Sequence, residues 1–175
     1  MGKIFNSVRK VMVVFCTIAF FGFILLFRWI AMIANKKYIS HVTLSEVDAM
    51  DGYDFEKYIS ILLSTKGIRV KTTPPRGDYG ADLVIRNGRT KIILQCKLYY
   101  KHGVGVSAVQ QIHSAIPYYG ASLGVVLTNS HFTTPAEILA KTNGVVLLDR
   151  NDLVTISKRD TTKKQVMKII CQNMS

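Results

Sequence analysis

Three polar residues in the stretch Gly77–Lys97 have types and positions that suit phosphate chemistry. Asp82 begins one apolar run, and Gln95 and Lys97 end the next. Because side chains alternate along a strand, Gln95 and Lys97 share one face, and the register of a hairpin can place Asp82 beside them. The sequence therefore predicts an acid, an amide oxygen and an ammonium group at one edge of a sheet.

A tight turn at Asn87-Gly88 is expected to bring the two apolar runs together. An Asn-Gly pair between β-rich runs is a strong hairpin signal, because both central residues of the favoured turn need positive φ. The hairpin then sets the start of its first strand beside the end of its second.

These groups match the oxygen ligands that Mg²⁺ or Mn²⁺ takes in proteins. The Asp82 carboxylate, the Gln95 side-chain oxygen and the backbone carbonyl of Cys96 would bind the ion together with a substrate phosphate. The Lys97 ammonium would orient or help to deprotonate a water molecule and offset developing charge. The pattern thus predicts metal-assisted phosphodiester hydrolysis, although a surface hairpin with incidental polar ends is an open alternative.

The elements expected around this hairpin alternate between helix and strand. A helix over 53–65 is capped by Asp51, ends at Gly67 and carries Glu56 beside its apolar stripe. The other predicted elements are strands at 68–73, 122–128 and 145–148 and helices at 107–117, 134–142, 149–156 and 161–171. We expect Ser107 to start the second helix in a capping box with Gln110. The order predicts an α/β fold with a central mixed sheet and helices on its faces.

The N-terminal part of the chain has a different composition. Residues 11–27 carry no charge and the apolar character continues to 34, which is enough for a transmembrane helix of ~20 residues. A cleaved signal peptide and a buried core helix are the alternatives. We divide the chain into a tail (1–10), the transmembrane helix (11–34), a linker (35–50), a catalytic domain (51–157) and a basic tail or helix (158–175).

Charge and cysteine content bear on the partner and the compartment. The part after residue 34 keeps 19 basic and 11 acidic residues, which suits nucleic acid or anionic lipid headgroups. Cys16, Cys96 and Cys171 form no disulfide framework and no metal motif, as is typical of a reducing compartment, and Cys96 is expected in the core. Positive charges flank the apolar segment almost equally, so charge alone does not set its orientation.

Several motifs occur in the order of a known family: a helix with Glu56, then GDYGAD, QCK, Val104-Gly105, a Gln-bearing helix and TNSHFTTPA. The chain resembles the Mrr-type restriction endonuclease domain of the PD-(D/E)xK nuclease superfamily over about residues 52–153. The resemblance implies a restriction-endonuclease-like core, a DNA substrate, a divalent metal and catalytic roles for Asp82, Gln95, Lys97 and Glu56. Gln111 is expected to face the site, because Gln110 is taken up by the Ser107 cap.

Two positions depart from the superfamily pattern. Ala81 stands where a proline is common, and Gln95 replaces an acid, which removes one negative charge from the metal site. The expected protein is an inner-membrane DNA endonuclease of restriction or mobile-element defence, with its domain in the cytoplasm and a homodimer if both strands are cut. A tethered nucleic-acid-binding module that does not cut, and a lipid-surface domain, are the alternatives.

Side chains near the site are candidates for gripping DNA. Arg76, Tyr99, Tyr100 and Lys101 combine positive charge with aromatic rings in the loops around the hairpin. Asp78, between two nearby glycines, and the loop histidines are expected to be loop formers and solvated groups rather than ligands.

Overall fold

The long uncharged run near the N-terminus forms one helix, α1 (Gly2–His41), in the computed structural model of the protein, which describes residues 2–74, 77 and 79–172. Within it, Cys16–His41 has a mean hydropathy of 2.1 and no buried residue. By length and composition this helix could cross a membrane, and a signal sequence near an N-terminus has the same features. The chain divides into two units, residues 1–38 and 39–175, which are described separately.

Helix α1 continues through the first part of the segment that was expected to be a linker. Residues 35–41 contain neither glycine nor proline, so the segment itself does not interrupt the helix. The helix ends where Thr43 adopts an extended conformation and caps the short helix α2 (Leu44–Asp48) in a capping box with Glu46.

A five-stranded mixed sheet forms the centre of the second unit. The strands are β1 (Arg69–Thr72), β2 (Leu83–Asn87), β3 (Thr90–Lys97), β4 (Leu123–Thr128) and β5 (Val146–Leu148), in that order across the sheet. Strands β1, β2 and β3 are antiparallel, and β3, β4 and β5 are parallel. The predicted mixed sheet is confirmed.

Helices cover both faces of this sheet. They are α3 (Gly52–Thr65), α4 (Val106–Tyr119), α5 (Thr134–Asn143), α6 (Arg150–Ser157) and α7 (Lys163–Gln172). Residues of α3, α6 and α7 form one apolar core with Leu94 and Cys96, and residues of α4 and α5 form the other with Ile93 and Val126. Neighbouring residues of β3 therefore point to opposite cores, as strand alternation requires.

The turn of the hairpin differs from the expected one by one residue. Asn87 pairs with Thr90, so the two loop residues are Gly88 and Arg89 rather than Asn87 and Gly88. Only Gly88 of this pair has positive φ, at 61°, as at the first position of a type II′ turn. Asn87 forms the last residue pair between β2 and β3, so strand pairing overrides its preference for turns.

The start of α4 also lies earlier than expected, at Val106. Helix α4 has Gly105 as its N-cap without a side-chain cap hydrogen bond, so the predicted capping box of Ser107 and Gln110 is wrong. Val104 forms a parallel bridge with Phe132, which ends the extended chain at that point and forces the helix to begin directly after it. Helix α5 begins at Thr134 as expected, and Thr133, whose side chain accepts a hydrogen bond from the Ala136 N–H, is its N-cap.

Candidate active site

Asp82 is held in place by backbone hydrogen bonds on both sides. Its N–H donates to the Leu94 carbonyl at 2.9 Å, and its own carbonyl accepts from the N–H and hydroxyl of Thr73, both at 3.0 Å. Its carboxylate oxygen Oδ2 accepts the Cys96 N–H at 2.7 Å. The acid is thus fixed over the end of β3, beside the residues that sequence analysis paired with it.

Gln95 and Lys97 share one acceptor on the neighbouring helix. Gln95 Nε2 donates to Gln111 Oε1 at 2.9 Å, and Lys97 Nζ donates to the same oxygen at 3.3 Å. A lysine ammonium has only donors, so Gln111 must present its oxygen, and Gln95 must in turn present its NH₂ group to Gln111. The structure therefore brings Gln111, rather than Gln110, to the two strand residues.

This arrangement leaves the Gln95 carbonyl oxygen in an unusual state. Gln95 is 2 % exposed, and its Oε1 is buried without a hydrogen bond from the described residues. A buried acceptor without a partner costs about 1–3 kcal/mol, so such an atom in a folded protein calls for an explanation. A cation bound beside the Asp82 carboxylate would satisfy it, and the donor set therefore fits a hard divalent ion.

The loop before Asp82 approaches the side chains of Gln95 and Gln111 closely at Gly80. Gly80 has φ of +87°, and a Cβ atom there would lie 3.0 Å from Gln111 Cβ and 3.1 Å from Gln95 Nε2. Tyr79, a non-glycine residue at φ of +52°, stacks its ring 4.1 Å from that of Tyr118 on α4. The sequence predicted only that Asp78 between Gly77 and Gly80 would form a loop, and the close approach of the Gly80 backbone to the site was not expected.

Glu56 approaches from the other face of the sheet. It is half-buried on α3, which packs beneath Cys96, whereas Gln95 and Lys97 point toward α4. Burial first, and then the charges of Asp82 and Glu56, raise the pKa of the Cys96 thiol well above its usual range. The buried thiol therefore stays neutral, and both carboxylates are near enough to act on its pKa.

The structure describes three of the four predicted DNA-gripping residues. Tyr99, Tyr100 and Lys101 are exposed after β3, while Arg76 lies outside the described residues, as does Asp78. The Tyr99 N–H donates to Asn129 Oδ1 at 2.8 Å, and the Tyr100 hydroxyl donates to the Met50 carbonyl at 2.6 Å. These bonds hold the loop, and the two tyrosines line a cleft of about 440 Å³.

An ion pair that the sequence did not predict lines this cleft. Nη1 and Nη2 of Arg150 donate to the Asp48 carboxylate, at 2.6 and 2.7 Å, and Asn129 Nδ2 donates to the same carboxylate at 2.9 Å. The hydrogen bond from Arg150 lowers the pKa of Asp48, with a smaller contribution from Asn129. These bonds hold helix α2 against the residues that follow β4 and β5. Asp48 and Arg150 are 102 residues apart in the sequence, so no local pattern predicts their contact.

Among the described residues, no three side chains of His, Cys, Asp or Glu gather as a metal cluster. A cation here would rely on Asp82, the Gln95 oxygen and backbone or substrate oxygens, which is a set that suits Mg²⁺ or Mn²⁺ better than Zn²⁺ or Cu²⁺. The site thus combines one fixed carboxylate, one buried amide oxygen and one positioned ammonium group.

The family model Mrr_cat, described as restriction endonuclease, matches residues 47–157. A comparison of the sequence with curated proteins found no match.

Solved structures share the fold at low sequence identity. The protein of unknown function AF1548 aligns with a TM-score of 0.52 and 15% identity over 67% of this chain and 66% of its own. The DNA modification-dependent restriction endonuclease AspBHI aligns with a TM-score of 0.52 and 19% identity over 80% of this chain and 40% of its own. The expected restriction-endonuclease-like core is confirmed, and the chain spans less than half the length of AspBHI.

Proposed function

This chain belongs to the Mrr_cat restriction endonuclease family, and we propose that it is a DNA endonuclease that uses a divalent metal ion, Mg²⁺ or Mn²⁺. The observation that carries the proposal is the buried Oε1 of Gln95, which no described residue satisfies, on the strand whose next residue, Cys96, holds the Asp82 carboxylate. An acceptor held out of water with no donor suits a ligand position, and the family supplies the substrate class.

Asp82, Gln95 Oε1 and the Cys96 carbonyl are the proposed metal ligands. When bound, the ion would polarise the scissile phosphate and help to generate the attacking hydroxide. The Cys96 N–H already holds one carboxylate oxygen of Asp82 at 2.7 Å, which orients this carboxylate before any ion binds.

Lys97 is the proposed catalytic ammonium. It shares the Gln111 oxygen with Gln95, so its position is set relative to the ligand residue rather than by solvent alone. There it would orient the attacking water and offset the charge that develops on the phosphate. Glu56 is proposed to support the site through its charge near Asp82, and Tyr99, Tyr100, Lys101 and Arg76 to contact DNA around it.

Plasmid cleavage by the full chain, purified in detergent, tests the proposal. We expect cleavage with Mg²⁺ or Mn²⁺, none with EDTA, and a loss of at least about 100-fold in Asp82→Asn and Lys97→Met. Lys168→Met removes one exposed charge outside the site and should leave the rate unchanged. Binding of DNA without cleavage by the unaltered chain would favour the non-cleaving module instead.

Membrane attachment, compartment and assembly form a separate part of the proposal. The apolar helix Cys16–His41 would anchor the chain in the inner membrane, with the domain in the cytoplasm where DNA is found. One domain carries one such site, so cutting both strands calls for a homodimer. Protease treatment of intact and lysed cells tests the orientation, and digestion of residues 40–175 from outside would contradict it.

The proposed biological role is restriction or defence against mobile elements. It follows from the family and is tested by the plating efficiency of phage and the uptake of plasmids in cells with the chain or its Asp82→Asn variant. Equal efficiencies for the two would contradict the role without bearing on the cleavage chemistry.

A further inference from the structure

A basic groove lies on the same face of the sheet as the candidate active site. It holds about 380 Å³ and is lined by β1, β2, the start of β3 and the end of α4. Among the described residues that line it, four are basic, namely Arg69, Lys71, Arg86 and Lys91, and none is acidic. The groove is therefore a concentrated positive surface in an already basic chain.

Strand register determines where these side chains point. Arg69 pairs with Arg86, and Arg86 pairs with Lys91, so all three project from one face. Lys71 pairs with Val84, which packs against the core beneath α4, the face toward which Gln95 and Lys97 also point. The groove and the site therefore lie on the same face of the sheet.

Helix α4 leaves this part of the face uncovered. It packs on β3 and β4, while the groove lies over β1 and β2 beside the helix end at Tyr119. Lys91 Nζ donates to the Tyr119 carbonyl, and this hydrogen bond joins the start of β3 to the end of α4. Arg69, Lys71 and Arg86 are exposed, so their charges are available to a ligand.

The distance along the sheet suits a nucleic-acid strand. Asp82 and Arg86 are four residues apart on an extended chain, which corresponds to about 13 Å. One strand of B-DNA advances about 3.4 Å per phosphate along the axis, so this length spans about four nucleotides.

We infer that the groove binds the phosphate backbone of DNA to one side of the scissile phosphate, through Arg69, Lys71 and Arg86. This inference rests on the proposed function for its substrate and adds the path that the substrate takes. A concave groove lined by one sign of charge concentrates its electrostatic field, which favours a nucleic-acid strand over a flat layer of lipid headgroups. The contacts carry no base information and position the duplex.

DNA binding by the full chain in detergent, with EDTA to prevent cleavage, tests the inference. The triple variant Arg69→Gln, Lys71→Gln, Arg86→Gln is compared with Arg159→Gln, Lys163→Gln, Lys168→Gln, which removes the same charge from exposed positions near the C-terminus. The salt dependence of the affinity for a 30-base-pair duplex counts the phosphate contacts. We expect the groove variant to reduce the magnitude of the slope of log affinity against log salt concentration by about 2 to 3, and the control variant to reduce it by less than about 1.

Equal slopes for the groove variant and the unaltered chain would overturn the inference, as would equal losses in both triples or no DNA binding by the unaltered chain. Binding of anionic vesicles that depends on the groove residues, without DNA binding, would identify a lipid surface and overturn it too. Thermal unfolding checks that both triples fold. Groove-dependent DNA binding without cleavage in Mg²⁺ would support the groove while rejecting the nuclease function, so the two failures are distinguishable.

Discussion

Gln95 Nε2 lies 2.9 Å from Gln111 Oε1, and this single hydrogen bond decides which way the buried amide of Gln95 faces. With its NH₂ group turned to the helix, Gln95 keeps its Oε1 buried and without a hydrogen bond from the described residues. A residue on α4 thereby sets the ligand geometry of a residue on β3.

Gln111→Met should lower the cleavage rate by about 10- to 100-fold, because neither Gln95 nor Lys97 keeps its acceptor. The Mg²⁺ concentration for half-maximal activity should rise in the same variant. Gln110→Met is the matched control, since Gln110 is the preceding, exposed residue of the same helix. Equal rates for the two variants would show that Gln111 does not position the site.

Gly80→Ala should impair both folding and cleavage. Its φ of +87° strains any side chain by about 1 kcal/mol or more, and the new methyl group would press on Gln111 and Gln95. Gly88→Ala has positive φ but open space around it, so it should lose comparable stability and keep the cleavage rate per folded molecule. Urea unfolding with rates measured on the same samples separates the two effects, and full activity in Gly80→Ala would contradict the close approach.

The Asp48–Arg150 pair should make stability depend on acid pH. The folded-state pKa of Asp48 is lowered, so its contribution is present above the unfolded value of about 3.9 and is lost as pH falls through the lower folded value. Both side chains are partly exposed, so we expect on the order of 1 kcal/mol at pH 7. A double-mutant cycle of Asp48→Asn and Arg150→Gln by urea unfolding measures it, and a coupling energy that persists unchanged below the folded pKa would contradict the assignment.

Cys96 should resist thiol reagents in the folded protein. Burial and the nearby charges of Asp82 and Glu56 raise its pKa, so the reactive thiolate is suppressed. Cys171 is exposed and should be alkylated by iodoacetamide at pH 8 under the same conditions. Peptide mass spectrometry before and after unfolding in urea distinguishes the two, and fast labelling of Cys96 in the folded chain would contradict its burial.

Much of the fold follows from local patterns. The stripe of Phe55, Ile59 and Leu62, the cap at Asp51 and the apolar runs around the hairpin each specify one element through spacing and turn chemistry. Where two local signals competed, tertiary pairing prevailed. Asn87 completes a strand instead of a turn, and Val104 bridges to Phe132 and moves the start of α4.

The sequence by itself determined that Asp82, Gln95 and Lys97 could meet, because strand alternation and a tight hairpin turn are local properties. Only the tertiary structure decided that Gln111 Oε1 orients Gln95 and Lys97, that Gly80 must be glycine, and that Asp48 meets Arg150 across 102 residues. Such contacts depend on how helices pack on the sheet, and the side chains that make them carry no periodic signal of their own. The residues that carry the proposed chemistry could therefore be recognised in the sequence, whereas their fixed geometry arises from packing.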